Sequence, residues 1–164
     1  MTSPTSAAAL VPQRLAFLRQ LPLLWRWMEP PLNALQPLLS LIGRLYVAQA
    51  FFLSGLTKLR DWDTTLALFS DEYHVPLLPP ELAAVMGTCG EIALPALLVV
   101  GLGGRFAAMG LSVVNLVAVL SLAEIAPAAL QQHVSWGIVL LALAVFGSGR
   151  WALDQWLERV RRDG

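Results

Sequence analysis

One cysteine, Cys89, and two histidines, His74 and His133, are all that this 164-residue chain offers toward disulfides or transition-metal sites. A lone cysteine excludes an intrachain disulfide, and the three residues match no metal-ligand spacing, so no metal is expected. Charge is equally scarce. Lys, Arg, Asp and Glu make up 13% of the chain and cancel to a formal net charge of zero, which leaves no global field to gather nucleic acid or an acidic substrate. No Gly-rich dinucleotide fingerprint, haem motif or iron–sulfur spacing is present, so no catalytic residue is expected and electrons for any redox role must come from a bound quinone or a partner. Residues 1–12 lack a charged n-region, apolar run and small-residue cleavage site. They read as a disordered, retained cytoplasmic tail.

Apolar residues are what the chain has in excess. Its hydrophobic share of 57% and mean hydropathy of +0.64 exceed the roughly 45–50% apolar content of soluble domains, which makes it a membrane protein. The expected fold is all-α: an integral membrane four-helix bundle preceded by an interfacial amphipathic segment. Residues 1–37 comprise the tail and that segment, 38–154 the four-span domain, and 155–164 a basic cytoplasmic tail. In residues 13–37, leucines alternate with Arg14, Arg19, Arg26, Trp25 and Trp27, and Pro22, Pro30, Pro31 and Pro37 predict short pieces lying in the interface. A helix that docks a partner is the other reading of this stretch.

The first span is predicted over Leu38–Thr57, about 30 Å of helix, and the second over Leu82–Gly103. The third follows over Phe106–Leu122, and a fourth has its core at Val134–Phe146. An acidic loop with Asp61, Asp63, Asp71 and Glu72 separates the first two, with a short surface helix expected near Thr64–Phe69. All six tryptophans fall at or beyond these span ends, as an aromatic belt requires. Leaving Arg44 aside, eight Lys or Arg fall on the side of the termini (Arg14, Arg19, Arg26, Arg105, Arg150, Arg159, Arg161, Arg162). Only Lys58 and Arg60 fall on the other. The positive-inside rule then places both termini in the cytoplasm and the acidic loop outside.

The stretch Arg44–Lys58, RLYVAQAFFLSGLTK, carries a cation within a span and another at its end. Phe51, Gly55 and Lys58 lie within about 40° of Arg44 on one helical face. A charge at membrane depth costs about 3 kcal/mol on insertion scales, so it needs a partner or a wet cavity. Counting residues from span centres puts Gln49, Glu91 and Asn115 at one depth with Arg44 about 6 Å away, and Lys58 at the outer mouth near Glu124 and His133. The expectation is therefore an Arg44–Glu91 pair at mid-membrane and a separate outer cluster. Pro95 also frees the Glu91 carbonyl, because proline has no N–H to donate to residue i−4. The competing reading treats the amides as interhelical glue, the small residues as packing aids and Cys89 as a buried filler.

Three segments together resemble a known family. FFLSGLTKL at Phe51–Leu59 carries Phe52, Gly55 and Lys58 after Arg44; GEIALPALLVVGLGGRFAA at Gly90–Ala108 carries Glu91, Pro95, Gly101 and Arg105; GSGRWALD closes the match at Gly147–Asp154. They are similar to the DoxX family of small bacterial four-helix membrane proteins. The resemblance implies an inner-membrane location. It also implies a likeness to the small membrane subunit of thiosulfate:quinone oxidoreductase, while other members accompany redox-stress or metal-handling proteins.

The reading carried forward is a membrane subunit or accessory of a quinone-linked redox or stress-response complex. Its ligand-binding or proton-relay candidates are Arg44, Lys58, Glu91, Asn115 and Gln49, quinone is its candidate cofactor, and its partners are the lipid bilayer and a protein of the same complex. Self-association is compatible with it. The alternatives are a non-catalytic anchor or assembly scaffold, and a small-solute or metal-related transporter. No inverted repeat and no His, Met or Cys ladder supports the transporter.

Overall fold

The structure is a computed structural model that describes the backbone from Val11 to Gly164 and side chains from residue 25 onward. Most of the N-terminal tail, and the side chains of residues 13–24, lie outside the described residues. Six helices follow in order: α1 Val11–Arg60, α2 Trp62–Asp71, α3 Pro80–Val100, α4 Gly104–Ser121, α5 Pro127–Phe146 and α6 Leu153–Asp163. Four stretches are long and apolar enough to cross a membrane, namely Trp25–Arg60 and the whole of α3, α4 and α5. The protein is thus an all-α membrane bundle.

Two compact units divide at residues 36 and 37. In the first, α1 is assigned helix across Pro22, Pro30 and Pro31, where the sequence reading placed breaks. Each proline removes one backbone donor, a defect that helices in a membrane tolerate more readily than those in water. The described side chains of this unit, 25–36, are all exposed.

In the second unit, residues 37–164, the helices start and stop where local chemistry tells them to. α3 opens with Pro80 at its first position, where the missing N–H costs nothing, and closes on Gly101, whose φ of +76° forms a left-handed cap. α5 likewise opens on Pro127, and it supplies as helix the flanking residues that its apolar core needed to cross. The core is formed by Val47 and Phe51 of α1, Leu98 of α3, Ala107, Ala108 and Leu111 of α4, and Leu140 and Leu143 of α5. Lipid is as apolar as leucine, so these residues hold the bundle by close packing rather than by escape from water. Small residues set the spacing. At Gly55 an added Cβ would lie 2.8 Å from Ile92 Cδ1 and 3.1 Å from Glu91 Cβ, so α1 and α3 touch there backbone to side chain.

α2 is a cap over one end of the bundle, longer than the expected Thr64–Phe69. Asp61 starts it by accepting hydrogen bonds from Thr64 N at 3.0 Å and Thr64 Oγ1 at 2.7 Å, which hold its carboxyl below the usual aspartate range. Thr65 and Phe69, four residues apart, face inward. Phe69 packs on Ala83 and Ala84, and Thr65 Oγ1 donates to the carbonyl of Lys58 at 3.0 Å. Beyond α2, His74 N donates to Ser121 O at 2.9 Å, which ties the loop to the end of α4.

Candidate functional site

Glu91 lies midway along α3 and is buried, one turn before Pro95. Its carboxylate Oε2 meets Lys58 Nζ at 2.6 Å, with the two side chains 10% and 18% exposed. Lys58 Nζ also donates to Ser54 Oγ at 2.8 Å. A lysine has three donors, so one N–H stays free, and Glu91 Oε1 has no hydrogen-bond partner among the described residues. The pair therefore offers one donor and one acceptor to a third party.

The expected Arg44–Glu91 contact is corrected by this geometry, and the reason is side-chain direction. A helical side chain leans toward its own N-terminus, so Lys58 reaches one turn back to the level of Ser54 and descends to Glu91. Arg44 leans the same way, and so away from Glu91. It is fully buried at the opposite end of the bundle, where it donates through Nη1 to Leu98 O at 3.5 Å and Val99 O at 3.3 Å, and through Nη2 to Trp151 O at 3.4 Å. Leu98 and Val99 belong to the last turn of α3, whose carbonyls lack helical partners and form the negative end of the helix dipole. Arg44 is thus a helix cap supplied by another helix.

Asp154 performs the mirror task at the same end. Its carboxylate accepts from Gly103 N at 2.9 Å and Gly104 N at 3.1 Å, the free donors that open α4, while its own N–H donates to Gly101 O at 3.1 Å. Gly101 must be glycine twice over. Its φ is left-handed, and a Cβ would stand 2.6 Å from Arg44 Nη1 and 2.8 Å from Ala152 Cα. Arg105, the last of the Gly101–Arg105 motif, is exposed and packs against Gly147. Arg44, Gly101 and Asp154 build a latch that joins the ends of α3, α4 and α6.

Asn115 does lie at the level of Glu91, because Gly90 packs on Val114. It engages α5: Asn115 Nδ2 donates to His133 O at 2.9 Å, and Asn115 Oδ1 stands 2.8 Å from His133 Nδ1. Because an amide oxygen can only accept, that second contact makes Nδ1 a donor and so a protonated nitrogen. The His133 ring meets Trp136 edge-on with centroids 5.1 Å apart, and Trp136 in turn packs on Phe51 at 5.6 Å. Tyr73 lies beyond α2. Burial raises the Tyr73 phenol above its usual range, and Glu72 and Glu91 push it the same way.

The other sequence candidates fall elsewhere. Gln49 is exposed on the outside of α1, so it is not part of the polar cluster, and Glu124 is exposed and forms no ion pair with Lys58 among the described residues. Phe52 is 36% exposed while its neighbour Phe51 is core. Cys89 is exposed, not a buried filler, and Trp136 sits well inside α5 instead of at a span end. Ser54, Tyr73 and Asp154 were not singled out by the sequence reading. Ser54 alone had a signal there, being one helical turn before Lys58. No group of three or more potential metal ligands occurs among the described residues.

Four apolar spans around a buried Lys–Glu pair, capped by a short helix at one end and latched by Arg44 and Asp154 at the other, define a small multi-pass membrane protein. The DoxX family profile matches residues 39–124, from α1 through α4, and the chain belongs to the DoxX family. The match includes Arg44, Lys58, Glu91 and Asn115 but stops before His133 and Asp154. Neither a curated protein nor a solved structure matches the chain.

Proposed function

We propose that this protein is a membrane subunit or accessory of a quinone-linked redox or stress-response complex, and that a quinone headgroup lodges against Lys58 and Glu91. The observation that carries this reading is the incompletely used ion pair: one ammonium N–H and one carboxylate oxygen lack partners among the described residues. A buried ion pair contributes little to stability against its desolvation cost, so a ligand is a better reason for it than rigidity. A bound quinone supplies two-electron acceptor chemistry, with electrons arriving from a partner subunit. The chain's own residues do the rest. Lys58 Nζ donates to one carbonyl oxygen, and the free oxygen of the Glu91 carboxylate is the acceptor for a quinol hydroxyl. The aromatic pair Phe51 and Trp136 supplies apolar surface nearby.

In this reading both termini face the cytoplasm of the bacterial inner membrane, so α2 and the site beneath it open toward the outer side. The scaffold alternative draws on the Arg44 and Asp154 latch, where every charge serves helix ends. The two diverge on a photolabelling experiment. An azido-substituted short-chain quinone should crosslink to peptides containing Gly55–Lys58 or Thr88–Pro95, and excess unmodified quinone should compete. Uncompetable labelling spread over the lipid-facing residues of α4 and α5 would overturn the quinone site.

A further inference from the structure

α6 plays no part in that site, yet it is the most strongly amphipathic helix of the chain. Leu153, Trp156, Leu157 and Val160 fall at i, i+3, i+4 and i+7 and share one face. None of the residues from Gln155 onward is covered: Trp156 is 57% exposed, Leu157 44% and Val160 53%. At 100° per residue, Arg159 and Arg161 flank this apolar stripe on its two sides, and Arg162 lies opposite it.

The place where α6 starts is fixed. Asp154 is bonded to Gly101, Gly103 and Gly104, which end α3 and begin α4, so the first turn of α6 sits where two spans leave the hydrocarbon. Trp151, 59% exposed, marks the same level with an aromatic ring. A helix pinned at the boundary, apolar along one side and edged by arginines, has the construction of an interfacial helix.

We propose that α6 docks on the bilayer surface beside its own bundle, with Trp156, Leu157 and Val160 in the acyl boundary and Arg159 and Arg161 on the phosphates of anionic lipids. The occupant of the exposed stripe is lipid, not a partner protein. Asp154 is already spent on the α4 amides, and the other acids of the helix, Glu158 and Asp163, form no salt bridge with Arg159 or Arg161 among the described residues, so anionic headgroups are the counter-charge open to these arginines. The flanking guanidiniums are free to reach upward from the apolar face.

Nitroxide labels test this in the full chain carrying Cys89→Ser. Single cysteines at Leu157→Cys and Gln155→Cys are labelled after reconstitution into nanodiscs of phosphatidylcholine alone, or of phosphatidylcholine with phosphatidylglycerol. The Leu157 label should relax with oxygen and be shielded from a water-soluble nickel chelate, and the Gln155 label should show the reverse. Phosphatidylglycerol should deepen the Leu157 label, and replacing Arg159, Arg161 and Arg162 with glutamine should abolish that deepening. Labels at both positions equally open to nickel in either lipid would overturn the docking. A Leu157 label that sits equally deep with and without phosphatidylglycerol would overturn the role given to anionic lipid. Asp154 is untouched in every variant, so the latch stays in place.

Discussion

Lys58 reaches Glu91 by leaning back one full turn along its own helix, and the two close to 2.6 Å directly beneath α2. Thr65 of α2 holds the carbonyl of the same lysine, so the cap and the ion pair share a residue. The approach depends on Gly55, which lets α1 lie against Ile92 and the Cβ of Glu91.

Breaking this pair from one side should be costly and breaking it from both less so. Glu91→Gln and Lys58→Gln are each expected to lower stability by about 3 kcal/mol, because each leaves an uncompensated charge at a site at most 18% exposed. The double variant should recover a substantial part of the sum. Thermal melting in mild detergent measures all three, and additive losses would mean that the two groups are not coupled.

Arg44 should behave differently. Arg44→Met removes the donors from Leu98, Val99 and Trp151 and is expected to cost about 2 kcal/mol. Arg44→Lys should not restore it, since one ammonium cannot span three carbonyls as a fork does. Combined with Glu91→Gln, the loss should be additive within about 0.5 kcal/mol. A large coupling energy in the same melting assay would reinstate the Arg44–Glu91 contact.

How these two cations divide their work was not legible in the sequence. The four spans and the family were, because hydropathy and the order of the three motif segments do not depend on which way a side chain faces. Depth counting, however, works from Cα positions, and both cations reach about 6 Å toward the α1 N-terminus from theirs. A second limit is specific to membranes. In a soluble helix the polar face marks the outside, but in a span both faces are apolar, so the outward positions of Gln49 and Cys89 and the inward position of Trp136 leave no periodic trace. The break between the second and third spans was legible from their bounds at Gly103 and Phe106, yet its fastening by Asp154 spans some fifty residues of chain.

Two glycines of that turn should separate conformational strain from steric clash. Gly103→Ala meets nothing within 4 Å and carries only the left-handed penalty at φ +56°, about 1–2 kcal/mol. Gly101→Ala adds a collision with Arg44 and Ala152, so its loss should be clearly larger and should shrink when combined with Arg44→Ala. Equal losses for the two glycines would count against the packing of Arg44 beneath the turn.

The start of α2 should be acid-sensitive. Because the folded Asp61 carboxyl titrates below its unfolded range of about 3.9, its capping contribution is present above that value and fades as pH falls through the lower folded one. Asp61→Asn keeps an acceptor and should lose the pH dependence. Hydrogen exchange at the Thr64 amide is the readout, and exchange protection in the native chain that is indifferent to acid would contradict the cap.

The charge asymmetry predicts a sidedness that labelling can test. With Cys89→Ser as background, a cysteine at Asp71 should react with a membrane-impermeant maleimide in cells whose outer membrane has been permeabilised, and one at Arg162 only after lysis. The opposite pattern would turn the protein over in the membrane.

The central claim is that the Lys58–Glu91 pair holds a quinone, and the most direct measurement is the quinone that the purified protein retains. The protein would be extracted with its native lipid and assayed for quinone per mole against bulk membrane, alongside Glu91→Ala and Lys58→Ala variants that remain folded. Enrichment over bulk lipid in the native chain, lost in both variants and kept in Gln49→Ala, is the predicted result. No enrichment, or enrichment that survives both changes, would contradict the claim and leave the buried pair as part of a scaffold.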